Sequence, residues 1–351
     1  MISEPYDSGR ATLPTPGMRG QVGCMRRRRA SVPTKDLGSE TRTGSAASGG
    51  RFALASLAVL VLVLVLAAAG LASSSHAPAY IYWTNYGAAG KGGTIGRAKL
   101  SGTGVNQTFI SGAAGPVGVT VHGAYIYWSN PSVQANSPGT TIGRAKLNGT
   151  GVNQSFITGA DGPHSIVISG GYIYWDSRLN DTIGRARLNG KGVNNDFITG
   201  AAGPWGIAIH GHYIYWTNYG AGGGTGGTTI GRANLNGTAV NQSFITGASA
   251  PAGIAIQGNH IYWANQGSGA TGTTIGRANL DGTGANQSFI TGAQAPAGIA
   301  VYGSHVYWSN FGTLAGTGTT IGRAKLNGTA VNQSFISGAS APAGIFVTTA
   351  G

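Results

Sequence analysis

The chain has 351 residues, with 22 Lys/Arg against 9 Asp/Glu for a net charge of +13, and 63 glycines. A single cysteine, Cys24, excludes a disulfide scaffold and a thiolate metal cluster. Glycine this abundant without a period would mean low complexity, but here it recurs at fixed places among Tyr, Trp, Ile and Phe, which marks turns between strands.

Residues 1–51 hold nine Lys/Arg and four Asp/Glu, are rich in Ser, Thr, Gly and Pro, and have no hydrophobic period. They read as a disordered basic leader. Phe52 to Ala72 form an uncharged apolar run centred on Leu57 to Leu66. It has two readings. A signal peptide would be cleaved after small residues, as in Gly70-Leu71-Ala72 or Ser75-His76-Ala77. A retained transmembrane anchor is the alternative, because about 20 apolar residues span a bilayer. Basic residues before the run stay on the cytoplasmic side, so both readings place the chain beyond residue 72 outside the membrane. Membrane contact is expected only through residues 52–72.

From Tyr80 a unit recurs six times: Tyr-Ile-Tyr-Trp-Thr-Asn, a Gly-rich gap, Thr-Ile-Gly-Arg-Ala-Lys-Leu-Asn-Gly, Asn-Gln-Ser-Phe-Ile, then Pro-x-Gly-Ile-Ala-Ile. Its tryptophans are Trp83, Trp128, Trp175, Trp216, Trp263 and Trp308, spaced 41 to 47 residues apart. That period, with several short strands per unit, is the signature of propeller blades. Gly-Ile-Ala-Ile is small and apolar, as an innermost strand near an axis requires, and the other three segments supply the second, third and outer strands. The first unit lacks an inner strand, while Pro342 to Thr348 is an inner strand left over at the other end. Residues 79–351 therefore predict an all-β fold: a six-bladed β-propeller of four-stranded blades. The C-terminal strand closes the ring as inner strand of the first blade and leaves no free sheet edge there.

Tyr-Trp-Thr-Asn, Ile-Gly-Arg-Ala-Asn-Leu-Asp-Gly at 275–282 and Pro-Ala-Gly-Ile-Ala-Ile resemble the YWTD, or low-density lipoprotein receptor class B, repeats. The resemblance covers all six units and implies the six-bladed fold and an extracellular interaction role. One departure is systematic: the family's final Asp is Asn85, Asn130, Asn218, Asn265 and Asn310 here, and the third copy reads Trp175-Asp176-Ser177. An Asp opposite the repeat arginine would ion-pair, whereas Asn offers neutral hydrogen bonds, so a less charged, amide-laced blade is expected. The EGF-like modules of the receptors have no counterpart in this sequence.

The chemistry available is sparse. Propeller hydrolases and lyases place carboxylates and a divalent metal at the channel mouth, but the five Asp after residue 79 lie off the inner strands and no Glu is present there. No cofactor, metal or catalytic residue is expected. Six of the thirteen Lys/Arg in this region are one repeated slot, from Arg97 to Arg323, which reads as structural and argues against a nucleic-acid partner. His122, His210, His212, His260 and His305 scatter over positions before and after the turn between the inner and second strands of different copies, and read as polar turn residues.

One sector differs. The Pro-x-Gly slot becomes Pro163-His164-Ser165 and Pro204-Trp205-Gly206 in neighbouring copies, with the shortest loop, Ser177 to Asp181, between them. Trp205 is the one tryptophan outside the repeat slot, and an aromatic beside Arg favours recognition; equally, it fills space left by the short loop. The candidate ligand site is His164, Arg178 and Trp205, with Asp161 and Asp181 at the rim. The expected function is an extracytoplasmic, non-enzymatic binding or scaffold module for a protein or glycan. A propeller hydrolase or lyase and a self-associating cell-surface structural protein are the alternatives.

Overall fold

The computed structural model describes residues 79–88, 91–131, 139–220 and 225–348. The leader and the apolar run at 52–72 lie outside these residues. Among the described residues no helix is long and apolar enough to cross a membrane.

Six four-stranded antiparallel sheets make six blades. In blade 4 the inner strand is Pro204–His210, the second Tyr213–Gly220, the third Thr225–Asn234 and the outer Asn241–Thr246. Blade 1 is completed as expected: Pro342–Val347 pairs with Tyr80–Asn85, joining the last strand to the first. Proline opens the inner strand and lies opposite the repeat Asn across a bulge, where a missing donor does least harm. Connections after the second and fourth strands emerge on one face, the loop face. Those after the first and third emerge on the other, the turn face.

Blade cores follow from the period-2 pattern. Each repeat tryptophan is fully buried, and the glycine of Thr-Ile-Gly-Arg lies opposite it, as Gly231 does opposite Trp216. A Cβ at Gly231 would fall inside the indole, so this glycine is required by space. Blades are joined by apolar side chains between adjacent sheets; Tyr82, Ile95 and Ile110 of blade 1 pack with Val119, Ile126 and Trp128 of blade 2. A buried hydroxyl adds a polar link. Thr217 Oγ1 donates to Ala252 O of blade 5 at 2.6 Å and accepts Gly206 N–H at 2.8 Å.

The repeat Asn is the polar hub of its blade. Asn218 Oδ1 accepts from Trp216 Nε1 at 3.1 Å and Ala202 N at 3.0 Å, while Nδ2 donates to Thr229 Oγ1 at 2.8 Å and Gln242 O at 2.9 Å. The amide-laced blade is therefore present, but the expected pairing of this position with the repeat arginine is corrected by the register. Asn218 faces Thr229, and Arg232 faces Tyr215. The arginine instead lies between two rings, 4.6 Å from the Tyr213 centroid and 4.0 Å from that of Phe244. Such cation–π stacking holds a cation without a carboxylate.

Candidate functional site

The loop face holds a cavity of about 190 Å³ on the axis, lined from every blade. Two slots of the repeat build it. The residue after the repeat Asn supplies Tyr86, Tyr219, Gln266 and Phe311, with Arg178 in the third blade. The variable residue after the inner-strand proline supplies Val117, His164, Trp205 and Ala343. Leu314, 61% exposed, stands at the rim.

His164, Arg178 and Trp205, singled out by their departure from the repeat, meet here. The His164 and Trp205 rings pack edge-on with centroids 4.3 Å apart, and Trp205 lies 4.5 Å from the Tyr219 ring. The short loop of blade 3 carries Arg178 between them, its guanidinium 4.9 Å from Trp205 and 5.0 Å from Tyr219. Trp205 thus fills space and also forms the wall against which the cation rests.

Asp161 and Asp181 are held by backbone bonds and do not line the cavity. Asp181, at φ 58°, turns the short loop, and its carboxylate accepts Gly203 N–H at 2.8 Å. Asp161 donates its own N–H to Asn195 Oδ1 at 3.0 Å. Neither neutralises Arg178.

The electrostatics follow from burial. Arg178 is held below its usual value by desolvation, and the groups acting on it are the Tyr219 and Tyr86 phenols rather than any carboxylate. Those phenols are raised by their own burial. His164 is held down to about 3 by burial, with Arg178 adding to the effect, so its ring is neutral. The residue keeps some exposed surface, but Nδ1 is covered and without a partner.

Asp176 occupies the slot that is Thr84, Ser129, Thr217, Ala264 and Ser309 in the other blades. Its Oδ1 accepts Ser165 N–H at 2.8 Å, the bond that the Thr217 hydroxyl makes to Gly206. Burial pushes its carboxyl up to about 8 against the pull of that N–H, so it is protonated at neutral pH. Asp176 Oδ2, Trp175 Nε1, Thr182 Oγ1 and His164 Nδ1 are the buried polar side-chain atoms without a partner among the described residues, and all belong to blade 3. For Trp175 Nε1 and Thr182 Oγ1 the cause is local: Ser177 stands where other blades have the hub Asn, and Asn195 where they have Gln. Among the described residues no group of three His, Cys, Asp or Glu is placed to hold a metal ion.

The fold is shared with solved structures. A chain of a nidogen/laminin complex aligns with a TM-score of 0.58 at 18% identity, over 77% of this chain and 98% of that one. A streptogramin B lyase gives 0.44 at 18% identity, over 62% of this chain and 68% of that one. A catalytically inactive virginiamycin B lyase from Staphylococcus aureus with quinupristin gives 0.44 at 20% identity, over 67% and 77%. The first likeness shows the fold; the lyase likenesses are too distant to bear on chemistry. No family model matches the chain, and no curated protein does. The protein is a six-bladed β-propeller built from YWTD-like repeats.

Proposed function

We infer that this protein is an extracytoplasmic recognition module whose axial cavity receives an anionic group of a partner protein or glycan. The observation that carries the reading is Arg178: a partly desolvated guanidinium at the cavity, packed on Trp205 and Tyr219, with no carboxylate acting on it. A desolvated cation gains most from a carboxylate or phosphate that reaches it, because charge-assisted bonds strengthen as water is excluded. About 190 Å³ admits one acidic side chain or one anionic sugar substituent. Among the described residues the most exposed large hydrophobics, Leu179 at 74% and Leu314 at 61%, flank the site and favour a protein surface around it.

The non-catalytic reading rests on proton chemistry. His164, held down to about 3, is a poor proton acceptor at neutral pH, and Asp176 lies outside the cavity lining. The extracytoplasmic placement rests on the basic leader and the apolar run at 52–72.

Cross-linking capture from the native cell envelope, with the wild type beside Arg178→Met and Trp205→Ala, tests the reading. A partner held by the wild type and lost from both variants supports it. The same partner recovered with all three proteins rules out the cavity as its binding site.

A further inference from the structure

The thirteen Lys/Arg that come after residue 79 are unevenly placed. Third strands run from the loop face to the turn face, so their arginines and terminal lysines sit at the turn end. Arg97 lies opposite Tyr82 and Lys99 opposite Tyr80, and the register repeats around the ring. Eleven of the thirteen fall on third strands or their following turns; Lys91 and Arg178 are the two on the loop side. Asp196 and Asp281 are the acidic residues of the turn half, while Asp161 and Asp181 balance the loop half. One face is strongly cationic and the other near neutral.

The cations form two sets. The six repeat arginines are half-buried against aromatic rings. Lys99, Lys146, Arg187, Lys191 and Lys325 are exposed. Between blades the same face is grooved. A recess of about 520 Å³ between blades 3 and 4 is lined by Tyr172, Tyr174 and Arg185 on one side and by His212, Asn234 and Asn236 on the other. An equivalent recess of about 660 Å³ between blades 4 and 5 has Tyr213, Tyr215 and Arg232 facing Asn259, Asn279 and Asp281. Aromatic edges, guanidinium and amide groups together suit a sugar ring bearing a carboxylate or sulfate, and their recurrence at neighbouring blades suits a polymer.

We propose that the turn face is a docking surface for an acidic polysaccharide, whose sugar units seat in the inter-blade grooves while its charges meet the arc of exposed Lys/Arg on blades 6, 1, 2 and 3. An anionic bilayer is the competing occupant of such a face. Recessed grooves are of no use to a lipid surface. The apolar groups there, Leu147 and Val105, Val152, Val240 and Val331, are each only 37–43% exposed, too little to insert. The surface is independent of the axial cavity, and its failure would leave that site untouched.

The test is retention of the full-length chain on immobilised polygalacturonate, polyglutamate and dextran. Retention on polygalacturonate at about 50 mM salt and release by about 500 mM are expected, because screening removes a charge-led contact. The fivefold variant K99E/K146E/R187E/K191E/K325E should bind about tenfold more weakly or worse, with its unfolding transition unchanged. Tyr172→Ala with Tyr213→Ala should weaken binding to polygalacturonate and not to polyglutamate. Equal retention on polyglutamate and polygalacturonate, or undiminished binding by the fivefold variant, overturns the proposal. So does a fivefold variant that loses only its association with phosphatidylglycerol vesicles.

Discussion

Asp176→Asn provides a sharp test of the reading of blade 3. In the folded protein the Asp176 carboxyl titrates at about 8, and in the unfolded chain near 3.8. Between these values the folded state holds a proton that the unfolded state has released, so stability falls as pH rises. His164 acts in the opposite sense. Its folded value of about 3 lies below the ordinary 6.5, so the unfolded chain binds the extra proton and stability rises with pH up to 6.5. The two slopes largely cancel between pH 4 and 6.5. Above 6.5 the unfolded imidazoles of His164 and His305 shed their remaining protons, and the opposing slope fades; His305 too is held low in the folded state by burial, Arg323 and Lys325. From pH 6.5 to about 8 Asp176 therefore dominates, and the wild type should lose about 1 kcal/mol, less than the full 1.36 kcal/mol per unit because Asp176 is half ionised by pH 8 and the last of the His164 slope opposes it. Asp176→Asn keeps an oxygen for Ser165 N–H and has no proton to lose. Urea unfolding at half-unit pH steps measures both proteins. A wild type flat across this window, or a variant with the same slope, refutes the buried neutral acid.

Two further perturbations test the frame that holds the site. Asn218→Asp restores the residue of the resembling family but loses the amide that donates to Thr229 Oγ1 and Gln242 O. At neutral pH a buried carboxylate would face a carbonyl, and a loss of about 2–4 kcal/mol is expected in chemical unfolding, shrinking in acid as the carboxyl regains a donor. Truncation after Ala341 removes the inner strand of blade 1 together with buried Ile345 and Val347. Those two side chains represent about 3–6 kcal/mol of burial, comparable with the whole stability of many domains, so cooperative thermal unfolding should disappear.

The sequence reveals the fold because the repeat is explicit: six tryptophans count the blades, and the unmatched Pro342 strand shows how the ring closes. The site is legible where it breaks the repeat. His164 and Trp205 fill a slot that is Ala or Val elsewhere, and Arg178 sits in the shortest loop. Tyr86, Tyr219, Gln266 and Phe311 escape that reading, although one signal marks them. The slot after the repeat Asn runs Tyr86, Pro131, Arg178, Tyr219, Gln266, Phe311, the widest variation in an otherwise uniform unit. Asp181 reads as a rim residue because a sequence does not show whether a carboxylate is already engaged by a backbone N–H. Asp176 is visible as an Asp in a slot that is Thr, Ser or Ala elsewhere, but its protonation depends on burial by neighbouring blades, which no local pattern encodes.

The central claim is that Arg178 is an anion receptor, set apart from the six repeat arginines that stack on rings within their blades. Side-chain Nε NMR of the arginine-labelled protein, titrated with an N-acetylated acidic tripeptide, tests it directly. The Arg178 resonance should shift saturably while those of Arg97, Arg144, Arg185, Arg232, Arg277 and Arg323 stay in place. An unmoved Arg178, or a uniform drift of all seven, would contradict it.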